Sequence, residues 1–81
     1  MQTAFLFINT KLDPDDNTTR DLKNMKGVEE VHRLYGVYDM SVKIKADNLD
    51  RIKDIVQNIR NLKVGSILTL LTSEKESAHA F

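Results

Sequence analysis

The sequence has no cysteine and no tryptophan, and it contains only one proline and three glycines in 81 residues. Without cysteine there is no disulfide, no thiolate zinc site and no thiol nucleophile. The three glycines form no phosphate-binding loop. Basic and acidic side chains number 12 each, so the net charge is zero. Such a chain has no overall attraction for nucleic acid or for an anionic membrane.

Long hydrophobic runs are also missing. No stretch approaches the roughly 20 apolar residues that cross a bilayer. The apolar run from Ala4 to Ile8 is too short for a signal-peptide core, and no basic segment precedes it. We therefore expect no membrane association and a cytoplasmic location. Domains of this size that lack disulfides often gain stability by forming oligomers.

Hydrophobic periodicity and turn residues predict six elements in the order βαββαβ. Strands are predicted at Gln2–Asn9, Val28–Tyr35, Val37–Ala46 and Ser66–Thr72. The first helix is predicted from about Asp16 to Met25, with Asp15 or Asp16 as its N-cap. The second is predicted to extend over about 15 residues after an N-cap at Asp47. Two right-handed βαβ units of this kind predict a ferredoxin-like α+β fold, with a four-stranded antiparallel sheet and both helices on one face. Residues 1–73 form this single domain, and the polar residues 74–81 are expected to be a flexible tail.

The third predicted strand alternates strictly between apolar and polar residues. Tyr38, Met40, Val42 and Ile44 share one face, which we expect to lie under the helices. A tight hairpin of one or two residues around Gly36 is predicted to join this strand to the second.

The first and fourth strands, by contrast, are apolar on both faces, and two helices can cover only one face of the sheet. An apolar sheet face open to water is an aggregation site. The pattern therefore predicts a homodimer that packs sheet against sheet, in the manner of a dimeric α+β barrel.

Catalytic, metal and cofactor sites are not predicted. Neither His32 nor His79 has a partner at a metal-ligand spacing. A small monooxygenase or isomerase of the dimeric α+β barrel type remains an alternative, with His32 and Tyr35 as the candidate groups in a pocket between sheet and helices. A purely structural oligomerisation module is the other alternative.

The segment from Tyr35 to Asp39 has two interpretations. It is either a plain hairpin or a ligand-facing turn in which Gly36 lets the backbone approach a small molecule. In the second case Asp39 receives an α-ammonium group, and nearby backbone N–H groups hold a carboxylate. Composition alone leaves both interpretations open.

Residues 36–44, Gly-Val-Tyr-Asp-Met-Ser-Val-Lys-Ile, resemble the G-x-Y-D-x-x-V-K-V stretch of the Lrp/AsnC family's effector domain, the RAM domain. Residues 25–31 resemble the family's L-P-G-V-x-x-V entry to its second strand, with Lys26 in place of proline. Residues 49–52 and 66–71 fit as well, so the resemblance extends over about residues 3 to 72.

The resemblance implies sheet-to-sheet dimers that assemble further into tetramers or octamers. It implies an amino-acid effector bound between dimers, near the glycine-containing turn and the fourth strand. On the matching positions, the ligand-binding residues are Gly36, Tyr38 and Asp39, together with Ser66 and Thr69 of the fourth strand.

No helix-turn-helix precedes the first strand in this sequence, so the resemblance is to a stand-alone effector module that does not bind DNA directly. We expect such a module to sense an amino acid or similar small metabolite. It would then modulate transcription regulation through oligomer assembly, with full-length Lrp/AsnC regulators as further partners.

Overall fold

The computed structural model describes residues 1–10, 17–62 and 64–72. Within these ranges the elements are β1 (Gln2–Asn9), α1 (Asn17–Lys23), β2 (Val28–Arg33), β3 (Met40–Ala46), α2 (Leu49–Arg60) and β4 (Ser66–Leu71). The strands form one sheet in the order β2-β3-β1-β4, and every neighbouring pair is antiparallel. The predicted ferredoxin-like α+β fold is confirmed, with β2 and β4 at the edges.

The core lies between one face of the sheet and the two helices. Its fully buried side chains are Ala4, Leu6 and Ile8 of β1, Met40, Val42 and Ile44 of β3, Leu22 of α1, and Ile52 and Ile59 of α2. Both helices contribute to this single cluster, so they cover the same face, as predicted. The alternation of β1 and β3 places every second residue in the core because successive side chains of a strand point to opposite faces.

Helix α2 starts one residue later than predicted, because its N-cap is Asn48 and not Asp47. The Asn48 Oδ1 accepts a hydrogen bond from the backbone N–H of Arg51 at 2.9 Å, which satisfies one of the free N–H groups of the first turn. The helix is 12 residues long and ends at Arg60. Helix α1 ends at Lys23, before the predicted Met25, while its predicted caps Asp15 and Asp16 lie outside the described residues, as does the predicted tail.

The predicted tight hairpin between β2 and β3 is wrong. β2 ends at Arg33 and β3 begins at Met40, which leaves a connection from Leu34 to Asp39, here named the 34–39 loop. Tyr38 was expected under the helices, but it is half-buried beside Phe7, with the two ring centroids 6.3 Å apart. The reason is tertiary: Asp39 donates its backbone N–H to the Ile8 carbonyl at 3.0 Å, which draws the loop toward the end of β1.

The other face of the sheet has no helix over it in the described part of the chain. Its β1–β4 half holds an apolar patch of four side chains: Phe5, Phe7, Leu68 and Leu70. Phe5 is 36% exposed, Leu68 42% and Leu70 46%. The β2–β3 half is a charged strip, in which Lys43 pairs with Glu30 at 3.5 Å and Lys45 with Glu29 at 3.7 Å. This open face is therefore half apolar and half charged.

Candidate functional site

The 34–39 loop is fastened to the end of β1 by side chains as well as by backbone. Thr10 donates its backbone N–H to Asp39 Oδ1 at 2.9 Å and its hydroxyl to Asp39 Oδ2 at 2.8 Å. Asn9 donates its side-chain N–H to the Val37 carbonyl at 2.9 Å. Both ends of the loop also meet, since the Leu34 N–H donates to the Asp39 carbonyl at 2.9 Å. The loop is thus held in one position relative to the sheet.

Asp39 is ionised at neutral pH. Its partial burial raises the pKa, but the hydrogen bonds from the Thr10 hydroxyl and N–H and from its own backbone, with the nearby charge of Arg33, outweigh this and hold the pKa below its ordinary value. The two carboxylate oxygens offer about four lone-pair sites, and these three hydrogen bonds leave one of them. Asp39 therefore positions the loop and still offers an acceptor to a cationic group.

The tip of the loop projects into solvent. Gly36 has a φ of +141°, and a Cβ at this position would meet no atom within 4 Å. Tyr35 and Val37 on either side are exposed. A shallow depression of about 440 Å³ lies against the loop, lined by Phe7, Leu34, Tyr35, Gly36, Val37 and Tyr38. This surface is open and largely apolar, and it adjoins the apolar patch through Phe7.

The two predicted fourth-strand residues have different positions. Ser66 pairs with Asn9 in the β1–β4 register, and Asn9 bonds the loop, so Ser66 lies close to it. Thr69 pairs with Leu6 on the helix-covered face, in a groove beside α2. Three strand residues, about 10 Å, separate the two positions. The structure brings Gly36, Tyr38, Asp39 and Ser66 to one end of the sheet and leaves Thr69 away from them.

Sequence reasoning missed Asn9 and Thr10, the residues that position the loop. They are two consecutive polar residues that directly follow the apolar run from Ala4 to Ile8, and this pattern could have pointed to them. Because β1 and β3 pair antiparallel, with Ile8 opposite Met40, the end of β1 necessarily lies beside the start of β3. The contact follows from the strand pairing and not from any local motif.

The groups named for the enzyme alternative do not converge. His32 lies on the charged strip, with its Nε2 3.0 Å from Glu30 Oε1, and Tyr35 is at the loop tip. In the described part of the chain both side chains therefore lie away from the space between sheet and helices. Among the described residues no cluster of His, Cys, Asp or Glu is suited to a metal ion. No helix in this part of the chain is long and apolar enough to cross a membrane.

The chain belongs to the Lrp/AsnC ligand binding domain family, whose model matches residues 3–78. It is a family of transcriptional regulators, which agrees with the resemblance seen in residues 36–44. The chain is therefore a domain of the ligand-binding type that these regulators contain.

Two curated relatives contain a similar segment within longer proteins. A homocitrate synthase from Sulfurisphaera tokodaii is 41% identical over 58 residues, which cover 70% of this chain and 13% of that protein. An HTH-type transcriptional regulator from Pyrococcus furiosus is 31% identical over 77 residues, or 86% of this chain and 50% of the regulator. The chain thus spans half or less of the length of these relatives.

A solved structure of similar size shows the same fold. A protein from Pyrococcus horikoshii superposes with a TM-score of 0.80 at 28% identity, over 98% of this chain and 99% of that one.

Proposed function

We propose that this domain is an effector-binding module that senses an amino acid or similar small metabolite and modulates transcription regulation through oligomer assembly. The observation that carries the proposal is the continuity between two incomplete surfaces. The apolar patch lacks a cover in the described structure, and the shallow depression along the 34–39 loop adjoins the patch through Phe7. A further copy of the chain would complete both surfaces.

The apolar patch supports a sheet-to-sheet homodimer. Burying a large apolar side chain stabilises an assembly by about 1.5–3 kcal/mol, and Phe5, Leu68 and Leu70 are each more than one-third exposed. The charged strip beside the patch has its lysines already paired with glutamates, so it can lie at the edge of an interface without unpaired charge. Tetramers or octamers would follow when such dimers associate through the loop ends.

The ligand would lie at the loop, with each predicted residue in a separate role. Gly36 lets the ligand approach the backbone, and Asp39 accepts from an ammonium group through its remaining lone pair. The Tyr38 ring and the Ser66 hydroxyl would contact the rest of the ligand. Thr69 lies on the helix side and would take part only through a ligand that extends around the β4 edge. No cofactor is required.

The relatives support a sensing role over a chemical one. A similar segment occurs in a protein named as a regulator and in one named as a synthase. Neither DNA binding nor the synthase reaction is common to both, whereas control by a bound small molecule is a role that both can share. Ligand bound between dimers would stabilise the assembly that contains the complete site. Full-length Lrp/AsnC regulators are proposed as partners that make the DNA contacts, in the cytoplasm.

A thermal-shift screen with the twenty amino acids tests the ligand. At least one amino acid should raise the melting temperature and change the sedimentation coefficient of the purified chain. The Asp39→Ala variant should lose this response, whereas Thr10→Val, which keeps the carboxylate but removes one of its hydrogen-bond donors, should retain it. If no amino acid shifts either quantity, sensing of amino acids is contradicted and an oligomerisation module is favoured.

Neighbouring residues of β4 offer a matched test of the dimer. Leu70 is 46% exposed on the open face, and Leu71 is 52% exposed on the helix face. Leu70→Asp should convert the protein to a folded monomer in analytical ultracentrifugation, while Leu71→Asp should leave the assembly unchanged. A wild-type chain that remains a monomer at micromolar concentration would contradict the interface.

A further inference from the structure

A second concave surface lies at the end of the sheet opposite the 34–39 loop. The cleft has a volume of about 380 Å³, and the residues that line it include Lys26, Gly27, Asp47, Arg51, Asp54 and Ile55. At this end Gln2 pairs with Ala46, whereas Ile8 pairs with Met40 beside the loop. Six steps along β1, about 20 Å, separate the two sites. The cleft is therefore no part of the loop depression.

Four charged side chains of this cleft, two cations and two carboxylates, are unpaired within the described residues. Arg51 and Asp54 are three residues apart, so they lie on the same side of α2, and Lys26 and Asp47 also line the cleft. In the described part of the chain none of these four side chains forms an ion pair. Met1 and Lys45 also line the cleft, and Lys45 is already paired with Glu29 at 3.7 Å. Two free cations and two free carboxylates therefore line one cavity.

The cleft also has an apolar wall of defined shape. Gly27 has a φ of +95°, and a Cβ there would lie only 2.4 Å from Ile55 Cδ1. The absence of a side chain at Gly27 lets Ile55 pack down beside Ala46 and lets α2 approach the sheet. The volume lies in the range of small-molecule sites, roughly 300–1,000 Å³.

We propose that this cleft is a second ligand site, which binds an α-amino acid with an apolar side chain. A ligand that carries both charges matches two unpaired cations beside two unpaired carboxylates better than a simple anion or cation does. The Arg51 guanidinium, helped by Lys26, would hold the carboxylate through paired N–H donors. Asp54 and Asp47 would accept from the ammonium group, and Ile55 and Ala46 would contact the side chain. The site is contained in one chain and does not depend on the dimer or on the loop site.

Titration of the ¹⁵N-labelled full chain with each of the twenty amino acids, followed by NMR, tests this site. An apolar amino acid should shift the backbone amide signals of Gly27, Ala46 and Ile55. Arg51→Gln and Asp54→Asn should each weaken this binding at least about tenfold, since each removes a charge-assisted hydrogen bond. Arg60→Gln, at the far end of the same helix and outside the cleft, is the matched control and should bind as the wild type does.

Binding at the cleft and binding at the 34–39 loop can be tested separately. Asp39→Ala should leave the cleft titration unchanged, and Arg51→Gln should leave a response at the 34–39 loop unchanged. The cleft proposal is overturned if no amino acid shifts these three amides at millimolar concentration, or if Arg51→Gln binds like the wild type while circular dichroism shows both folded. Neither outcome would contradict binding at the 34–39 loop, which is tested separately by the loss of response in Asp39→Ala.

Discussion

The two faces of the sheet are built from the same strands but have different surroundings. In β1, Leu6 is fully buried under the helices, while Phe5, the next residue, is 36% exposed on the open face. Both side chains are large and apolar, so hydrophobicity alone does not say which is buried in the single chain. The difference indicates that one face is completed by the chain's own helices and that the other is suited to completion by another molecule.

The open face is itself divided, and a β-bulge explains how. The β2–β3 register shifts between Val28 and Glu30, so that two consecutive glutamates, Glu29 and Glu30, point to the same side. Each reaches one lysine of β3. The bulge thus places a glutamate beside each of these two lysines, so that their charges are paired next to the apolar patch.

The largest expected effect distinguishes the two faces directly. Leu6→Ala should lower the free energy of unfolding by about 2–5 kcal/mol, because it opens a cavity in the core. In dilute protein, Phe5→Ala should lower the free energy of unfolding by less than Leu6→Ala does. This loss should grow with protein concentration if a second copy covers the open face. Urea unfolding at two protein concentrations measures both. If both variants lose the same free energy of unfolding at every concentration, the proposed difference between the two faces is contradicted.

A smaller effect concerns the close packing of α2 on the covered face. Gly27→Ala should destabilise by about 1–3 kcal/mol, since the new methyl group meets Ile55 and the residue has a positive φ. Gly36→Ala is the control, because its φ is also positive but its surroundings are open. Adding Ile55→Val to Gly27→Ala should recover part of the loss by removing Cδ1. No recovery in thermal unfolding would contradict the steric explanation.

The link between the loop and β1 should have a pH-dependent effect. Thr10→Val removes one hydrogen bond to Asp39 and should cost about 1 kcal/mol at neutral pH. The folded-state pKa of Asp39 is lowered, so this stabilisation is complete above about pH 4 and disappears as the pH falls through the folded-state pKa. Urea unfolding from neutral to acidic pH should show the wild type and Thr10→Val converging. If the difference in unfolding free energy between the wild type and Thr10→Val stays constant with pH, this role for the carboxylate is contradicted.

The smallest effect is expected on the charged strip. The hydrogen bonds from His32 and Lys43 hold the pKa of the Glu30 carboxyl below its ordinary value. The group is open to solvent, so Glu30→Gln should leave the unfolding midpoint unchanged within error, at low and at high salt. A loss as large as that of Thr10→Val would show that the strip is desolvated in the assembled protein.

Most of the fold could be predicted, but only part of the candidate site. The alternation of Met40, Val42 and Ile44 correctly predicted their buried face, because periodicity is a local property of the chain. The same alternation placed Tyr38 with them and failed, since the strand begins only at Met40. Thr69 was matched to the loop site by resemblance, although the strand register places it opposite Leu6 on the helix side.

The sequence by itself determined the order of the elements, the buried row of β3 and the family to which the chain belongs. Only the tertiary structure decided that Thr10 holds Asp39, 29 positions away along the chain, and that a mixed-charge cleft forms between Gly27 and the start of α2. The physical reason is that a hydrophobic period is set by neighbours along the chain. Contacts between the end of one strand and the start of another depend on which strands pair and in which register.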